Sequence, residues 1–158
     1  MEKQVFPFTT KAEFGQHLAA CLGRAQHTLQ LFDPDFAIWD LGGSASDALL
    51  RRFLKDGGRL QLVAHDGRHM ERHAPRFLRL LKDYSHLIEV RRTSQQLRQL
   101  TDSFCIADQR DIVRRFHSDH FRGEAVFDSP PDTQTSLERF LTIWLESGPG
   151  LYANSTGL

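Results

Sequence analysis

Two apolar runs fix the centre of this chain. Leu29-Gln30-Leu31-Phe32 and Leu60-Gln61-Leu62-Val63-Ala64 each read as a buried strand, and Leu49, Leu50, Phe53 and Leu54 between them recur at helical spacing. The first run, from His27, stops at Asp33-Pro34-Asp35; the second, reaching His65, stops at Asp66-Gly67. Gly42-Gly43 breaks the chain before the helix, Ser44 is its expected cap, and Asp56-Gly57-Gly58 ends it. Strand, helix and strand over about 40 residues make a βαβ unit, whose strands run parallel through a right-handed crossover.

The flanking segments fill out an α/β pattern. Thr10-Lys11-Ala12-Glu13 has the spacing of a capping box and opens a helix over 11–25, with Phe14, Leu18, Cys21, Leu22 and Ala25 on one face. Phe36, Ile38 and Trp39 sit on a short loop or turn of helix. Pro75 suits the first turn of a helix reaching Tyr84, and Leu87–Val90 reads as a short strand. Residues 103–108 and 111–116 read as a hairpin turning at Gln109-Arg110, and 123–127 as one more strand. Pro130-Pro131 opens a last helix with Leu137, Phe140, Leu141, Trp144 and Leu145 as its apolar stripe, ended by Gly148-Pro149-Gly150. The expectation is one α/β domain over 1–147, a mixed sheet with helices on both faces, followed by a flexible tail over 148–158.

Composition removes several function classes. With 40% apolar and 25% charged residues among 158, the chain is globular rather than disordered. No apolar run approaches the roughly 18 residues of a membrane span, and the N-terminal residues lack a signal-peptide core. Cys21 and Cys105 lie in apolar contexts and read as reduced core residues, so a cytoplasmic address is expected. The formal charge is zero, which argues against broad nucleic-acid binding. It is unevenly spread: the net is −3 over 1–49, +6 over 50–92, +1 over 93–122 and −4 over 123–158. A basic middle marks either solvated helix faces, the plainer reading, or an anion site.

The order of elements resembles one half of the phospholipase D superfamily fold. The resemblance covers about residues 8–147: an opening helix, a strand ending in a polar loop, a helix ending in Lys55-Asp56-Gly57-Gly58-Arg59, a second strand, then a β hairpin. In that family the hairpin carries H-x-K-x4-D. Asp108 stands at the Asp position, but Ser103 stands where the Lys belongs and Thr101 where the His belongs. Near Arg115-Phe116-His117-Ser118 the family's G-S-x-N turn is not matched, and Glu124 falls near its downstream Glu. Phosphoryl transfer needs a deprotonated nucleophile and cations for the developing charge. Two neutral hydroxyls supply neither. The resemblance therefore implies the scaffold without its usual chemistry: a non-catalytic domain that binds a protein partner or a phosphate-bearing ligand, with no cofactor. Because active members combine two motifs, it also implies a homodimer. The expected cleft residues are Thr101, Ser103, Asp108, Arg115, His117, His120 and Glu124.

Other polar clusters are weaker. His117-Ser118-Asp119-His120, among Arg114, Arg115 and Arg122, suits a base beside an anion, so a divergent phosphodiesterase or nuclease using His117 or His120 is the alternative. Asp66, His69 and His73 suit zinc only if a helix starts early; Asp66 also ends a parallel strand, where α/β sheets bind ligands. The spacing is not a metal signature, and no metal site is expected. Asp33 and Asp35 are spaced like the acids of haloacid dehalogenase-like phosphatases, but Ala37 breaks that pattern, and turn capping is the expected role. Neither a Gly-rich phosphate loop nor G-x-S-x-G occurs.

Overall fold

The computed structural model describes residues 2–150. In chain order the elements are β1 (Gln4–Phe8), α1 (Lys11–Arg24), β2 (Thr28–Asp33), α2 (Ser44–Lys55), β3 (Arg59–Ala64), α3 (Arg68–His73), α4 (Pro75–Asp83), β4 (Ile88–Thr93), a 3-10 turn (Gln95–Leu97), β5 (Ser103–Ala107), β6 (Asp111–Arg115), β7 (Gly123–Phe127), α5 (Pro130–Leu145) and β8 (Ser147–Pro149). All eight strands form one sheet in the order β1-β7-β6-β5-β2-β3-β4-β8. Strands β2, β3 and β4 are parallel, as the βαβ pattern demands, and every other pairing is antiparallel.

Period-two alternation divides the core between the two faces. Leu29, Leu31, Leu60, Leu62, Val90, Cys105 and Val113 pack beneath α1, α2, α3 and α4. Their neighbours Phe32, Val63, Phe104, Ile106, Ile112 and Val126 pack under α5, against Phe140, Ile143 and Trp144. Helix α1 starts on the capping box: Thr10 Oγ1 accepts from the Glu13 amide, and Glu13 accepts from the Thr10 amide. Gly57, at φ +92°, supplies the left-handed turn after α2. Cys21 and Cys105 are buried and unbridged, with sulfurs 3.7 Å apart.

Several local expectations are corrected. Gly43, not Ser44, is the N-cap of α2, and no side chain caps it. A Cβ at residue 43 would collide with the Asp40 carboxylate, which packs against this backbone. On α5 the buried face runs through Thr133, Ser136, Phe140, Ile143 and Trp144. Leu141 and Leu145 follow Phe140 and Trp144 by one residue, turn about 100° away and stay in solvent. The edge strands β1 and β8 add to the elements that the sequence pattern indicates. Both are short and both contain proline, Pro7 and Pro149. Gly148 and Pro149 thus pair with β4, the Gly150 amide donates to the Val90 carbonyl, and residues 151–158 of the expected tail lie outside the described residues. Helix α3 precedes α4, split from it at Ala74 before Pro75.

Phe140 is fully buried and touches Phe104 and Trp144, whereas Leu145 is 80% exposed. Phe140→Ala is expected to lower the free energy of unfolding by about 3–5 kcal/mol, and Leu145→Ala by no more than about 0.5 kcal/mol. Urea denaturation of the two variants checks the placement of α5.

Candidate functional site

The carboxyl ends of β2, β3 and β4 and the amino end of β5 gather buried polar side chains. Asp33, the last residue of β2, is 2% exposed. One of its oxygens accepts from the amides of Asp35 at 3.0 Å and Phe36 at 2.6 Å, closing the turn after the strand. The other accepts from the hydroxyl of Ser103, which opens β5 and is 1% exposed. Burial pushes the Asp33 carboxyl above its ordinary pKa, and the Ser103 hydroxyl and the turn amides oppose this. A carboxylate, not a cation, therefore faces Ser103.

His65 follows β3 and is nearly buried. Its Nε2 lies 2.7 Å from the Leu100 carbonyl, an acceptor only, so Nε2 carries the proton and donates it. Its Nδ1, 2.6 Å from Thr93 Oγ1, then accepts from that hydroxyl. With both nitrogens occupied, the ring braces the segment between β4 and β5 and is not a free nucleophile.

Arg115 ends β6 as the register partner of Ser103 and is also buried. Its Nε donates to the His120 carbonyl at 2.7 Å, its Nη2 to the Ser118 carbonyl at 2.5 Å, and its guanidinium stacks on Phe121. All of this organises the loop between β6 and β7. On that loop His117 Nδ1 accepts from the Asp119 amide at 3.0 Å, and His120 Nδ1 accepts from the Arg122 amide at 3.2 Å. An imidazole whose Nδ1 accepts carries its proton on Nε2, the reverse of what an attacking Nε2 needs. His117 has one further option, since Asp119 Oδ2 lies 3.4 Å from the same nitrogen. Thr101 lines a groove of about 460 Å³ with Arg114, Arg115, Phe116 and Arg139. Glu124 already neutralises Arg114, and Asp102 neutralises Arg139.

Thr101, Ser103, Arg115, His117 and His120 thus share one end of the sheet. Asp108 sits at the opposite end of β5. Asp108 lies five residues beyond Ser103, about 16 Å along an extended strand. Its carboxylate accepts from the amides of Gln26, His27 and Thr28. Glu124, on the α5 side of β7, stands beside the Thr101 groove through its pairing with Arg114. Asp66 is claimed by Arg68, which donates to it through Nη2 at 2.6 Å. Among the described residues no three His, Cys, Asp or Glu side chains assemble as metal ligands. No helix among them is long and apolar enough to cross a membrane.

The sequence pattern of a family described as "Domain of unknown function (DUF7931)" matches residues 10–151. The chain belongs to this family. No curated protein matches the sequence. Among solved structures the chain is similar to TrmBL2, an archaeal chromatin protein with a novel mode of DNA binding, at TM-score 0.69 and 12% identity, covering 93% of this chain and 54% of that one. It is similar to Nuc, a phospholipase D family member from Salmonella typhimurium, at TM-score 0.66 and 15% identity, covering 94% and 99%. NucT from Helicobacter pylori matches at TM-score 0.63 and 10% identity, over 94% and 100%. The chain therefore spans about half of the archaeal chromatin protein and essentially all of Nuc and NucT. At these identities the likeness shows the fold: a phospholipase D-like half.

Asp33 and His65 were not among the expected cleft residues. The sequence marks Asp33 as a turn cap, which it is, and His65 as the end of a strand. The signal that marks both is a polar residue closing an apolar parallel strand.

The Asp33 assignment has a pH signature. A folded carboxyl with a raised pKa binds its proton more tightly than the unfolded chain does. That contributes stability which is complete at acidic pH and is lost as pH rises through the folded value. The unfolding free energy of the wild type, relative to Asp33→Asn, is expected to fall as pH rises above the ordinary carboxyl range, about 4. Ser103→Ala, costing about 1–3 kcal/mol, should steepen that fall by removing a donor. Urea titrations across this range test it; a flat difference contradicts the assignment.

Proposed function

We propose that this chain is a phospholipase D-like domain that works by binding and does not hydrolyse phosphodiesters. The observation that carries this reading is the Ser103–Asp33 pair. Where the family resemblance places an ammonium to hold phosphate oxygens, a hydroxyl is buried and donated inward to a carboxylate. An incoming phosphate would meet no cation there and no unoccupied base. Arg115, the cation nearest in register, is spent on two backbone carbonyls.

The binding partner is another protein or a phosphate-bearing ligand, met in the cytoplasm. Zero net charge speaks against a long nucleic-acid footprint. A homodimer is part of the proposal, supported by the fact that a single half spans the whole of chains such as Nuc and NucT. Light scattering at micromolar concentration should then give twice 18.1 kDa, and a purely monomeric species removes this element.

The alternative, a divergent phosphodiesterase or nuclease, rests on His117 and the Asp119 oxygen beside its Nδ1. Bis-p-nitrophenyl phosphate separates the two readings. Hydrolysis by the purified chain is expected at background. Turnover that disappears in His117→Ala replaces the binding reading with the alternative.

A further inference from the structure

A second concavity lies two strands away from Ser103, over the carboxyl ends of β3 and β4, with β2 between them. It encloses about 310 Å³, at the small end of ligand-pocket sizes. Its floor is apolar: Leu62, Met70 and Val90 are all at most 5% exposed. Its rim is cationic. Arg92 has the parity of Ile88 and Val90 and so projects toward α3 and α4. Arg91 is turned the other way, onto the Trp144 ring. Arg98 reaches the rim from the segment after the 3-10 turn.

The charges there are not balanced. Arg68 is matched by Asp66, whose pKa is held at about 2 chiefly by that guanidinium, with the field of Arg98 contributing. Glu71 is the other carboxylate on the wall. Among the described residues Arg92 and Arg98 have neither an ion-pair partner nor a side-chain hydrogen bond. Two unengaged guanidiniums above an apolar floor suit a tetrahedral, doubly charged group carried on a ring or other apolar body.

We propose that this pocket binds a small phosphomonoester, its phosphate held by Arg92 and Arg98 and its apolar body resting on Leu62, Met70 and Val90. The proposal rests on the binding-domain reading and gives it a site that owes nothing to the Thr101–Ser103 cleft.

Calorimetric titration of the full chain with phenyl phosphate and with inorganic phosphate tests it. Phenyl phosphate is expected to bind, and inorganic phosphate, lacking the apolar body, about tenfold more weakly or worse. The double variant Arg92→Gln/Arg98→Gln is expected to lose phenyl phosphate affinity by about tenfold or more at unchanged Tm, while Arg79→Gln on the exposed side of α4 leaves it as it was. Absence of binding by about 10 mM, or affinity that survives the double variant, overturns the proposal. Tighter binding of a single-stranded oligonucleotide, lost in the same variant, also overturns it and makes the patch a polyanion surface. Failure here with no phosphodiester hydrolysis removes only the pocket. Hydrolysis removes the binding-domain reading and leaves the titration interpretable.

Discussion

The sheet joins a parallel part to an antiparallel part, and their seam is the antiparallel junction of β2 with β5. On one side β2, β3 and β4 run parallel; on the other β5, β6, β7 and β1 alternate. The seam is clamped at one end by Asp108. Its side chain is only 8% exposed and accepts from three consecutive amides, at 2.9, 2.7 and 3.0 Å. Hydrogen bonds to a carboxylate contribute more than neutral ones. Asp108 also adopts φ 56°, the left-handed conformation that the tight hairpin needs and that Asp tolerates better than most residues. One side chain thereby sets the hairpin turn and its register against β2. Next to it, Asp111 is buried and tied to Arg24 and Arg110, which hold its carboxyl below the usual range despite the burial that opposes them.

On the binding-domain reading proposed above, the motif position kept here is structural and the two replaced are those of the chemistry. Asp108 serves the seam. Thr101 and Ser103 lie at the opposite end, where a nucleophile and an ammonium would meet substrate. Ser103 has a buried partner in Asp33 and leaves no unpaired polar group there. A change at Asp108 would strip three amides of their acceptor. The two ends of β5 answer to different physical demands, and only one of those demands comes from folding.

What could be read in the sequence follows from how local each signal is. The capping box of α1, the βαβ unit and the β5–β6 hairpin are each specified within a few neighbouring residues, and each forms where its residues indicate. The edge strands depend on partners distant in the chain: β1 pairs with β7, more than 110 residues away, and has too few residues to announce a period. Gly43 takes the cap position from Ser44 at the end of a local turn in which its amide donates to the Asp40 carbonyl, a contact no residue-type preference announces. Leu141 and Leu145 resemble core residues until the sheet fixes which face of α5 is covered. The buried polar pairs Asp33–Ser103 and His65–Thr93 each join segments distant in the chain, so their members look like turn or strand-end residues when taken singly.

The two outermost strands have a consequence for how this domain meets others. A strand margin usually offers a row of amide and carbonyl groups on which a foreign strand can template itself. Here each margin contains an imino acid, Pro7 in β1 and Pro149 in β8, which has no amide hydrogen to give. Lateral growth by backbone zippering is thereby discouraged at both flanks. Association is left to the helical layers and to the loops crowning the strand ends, where recognition depends on side-chain chemistry.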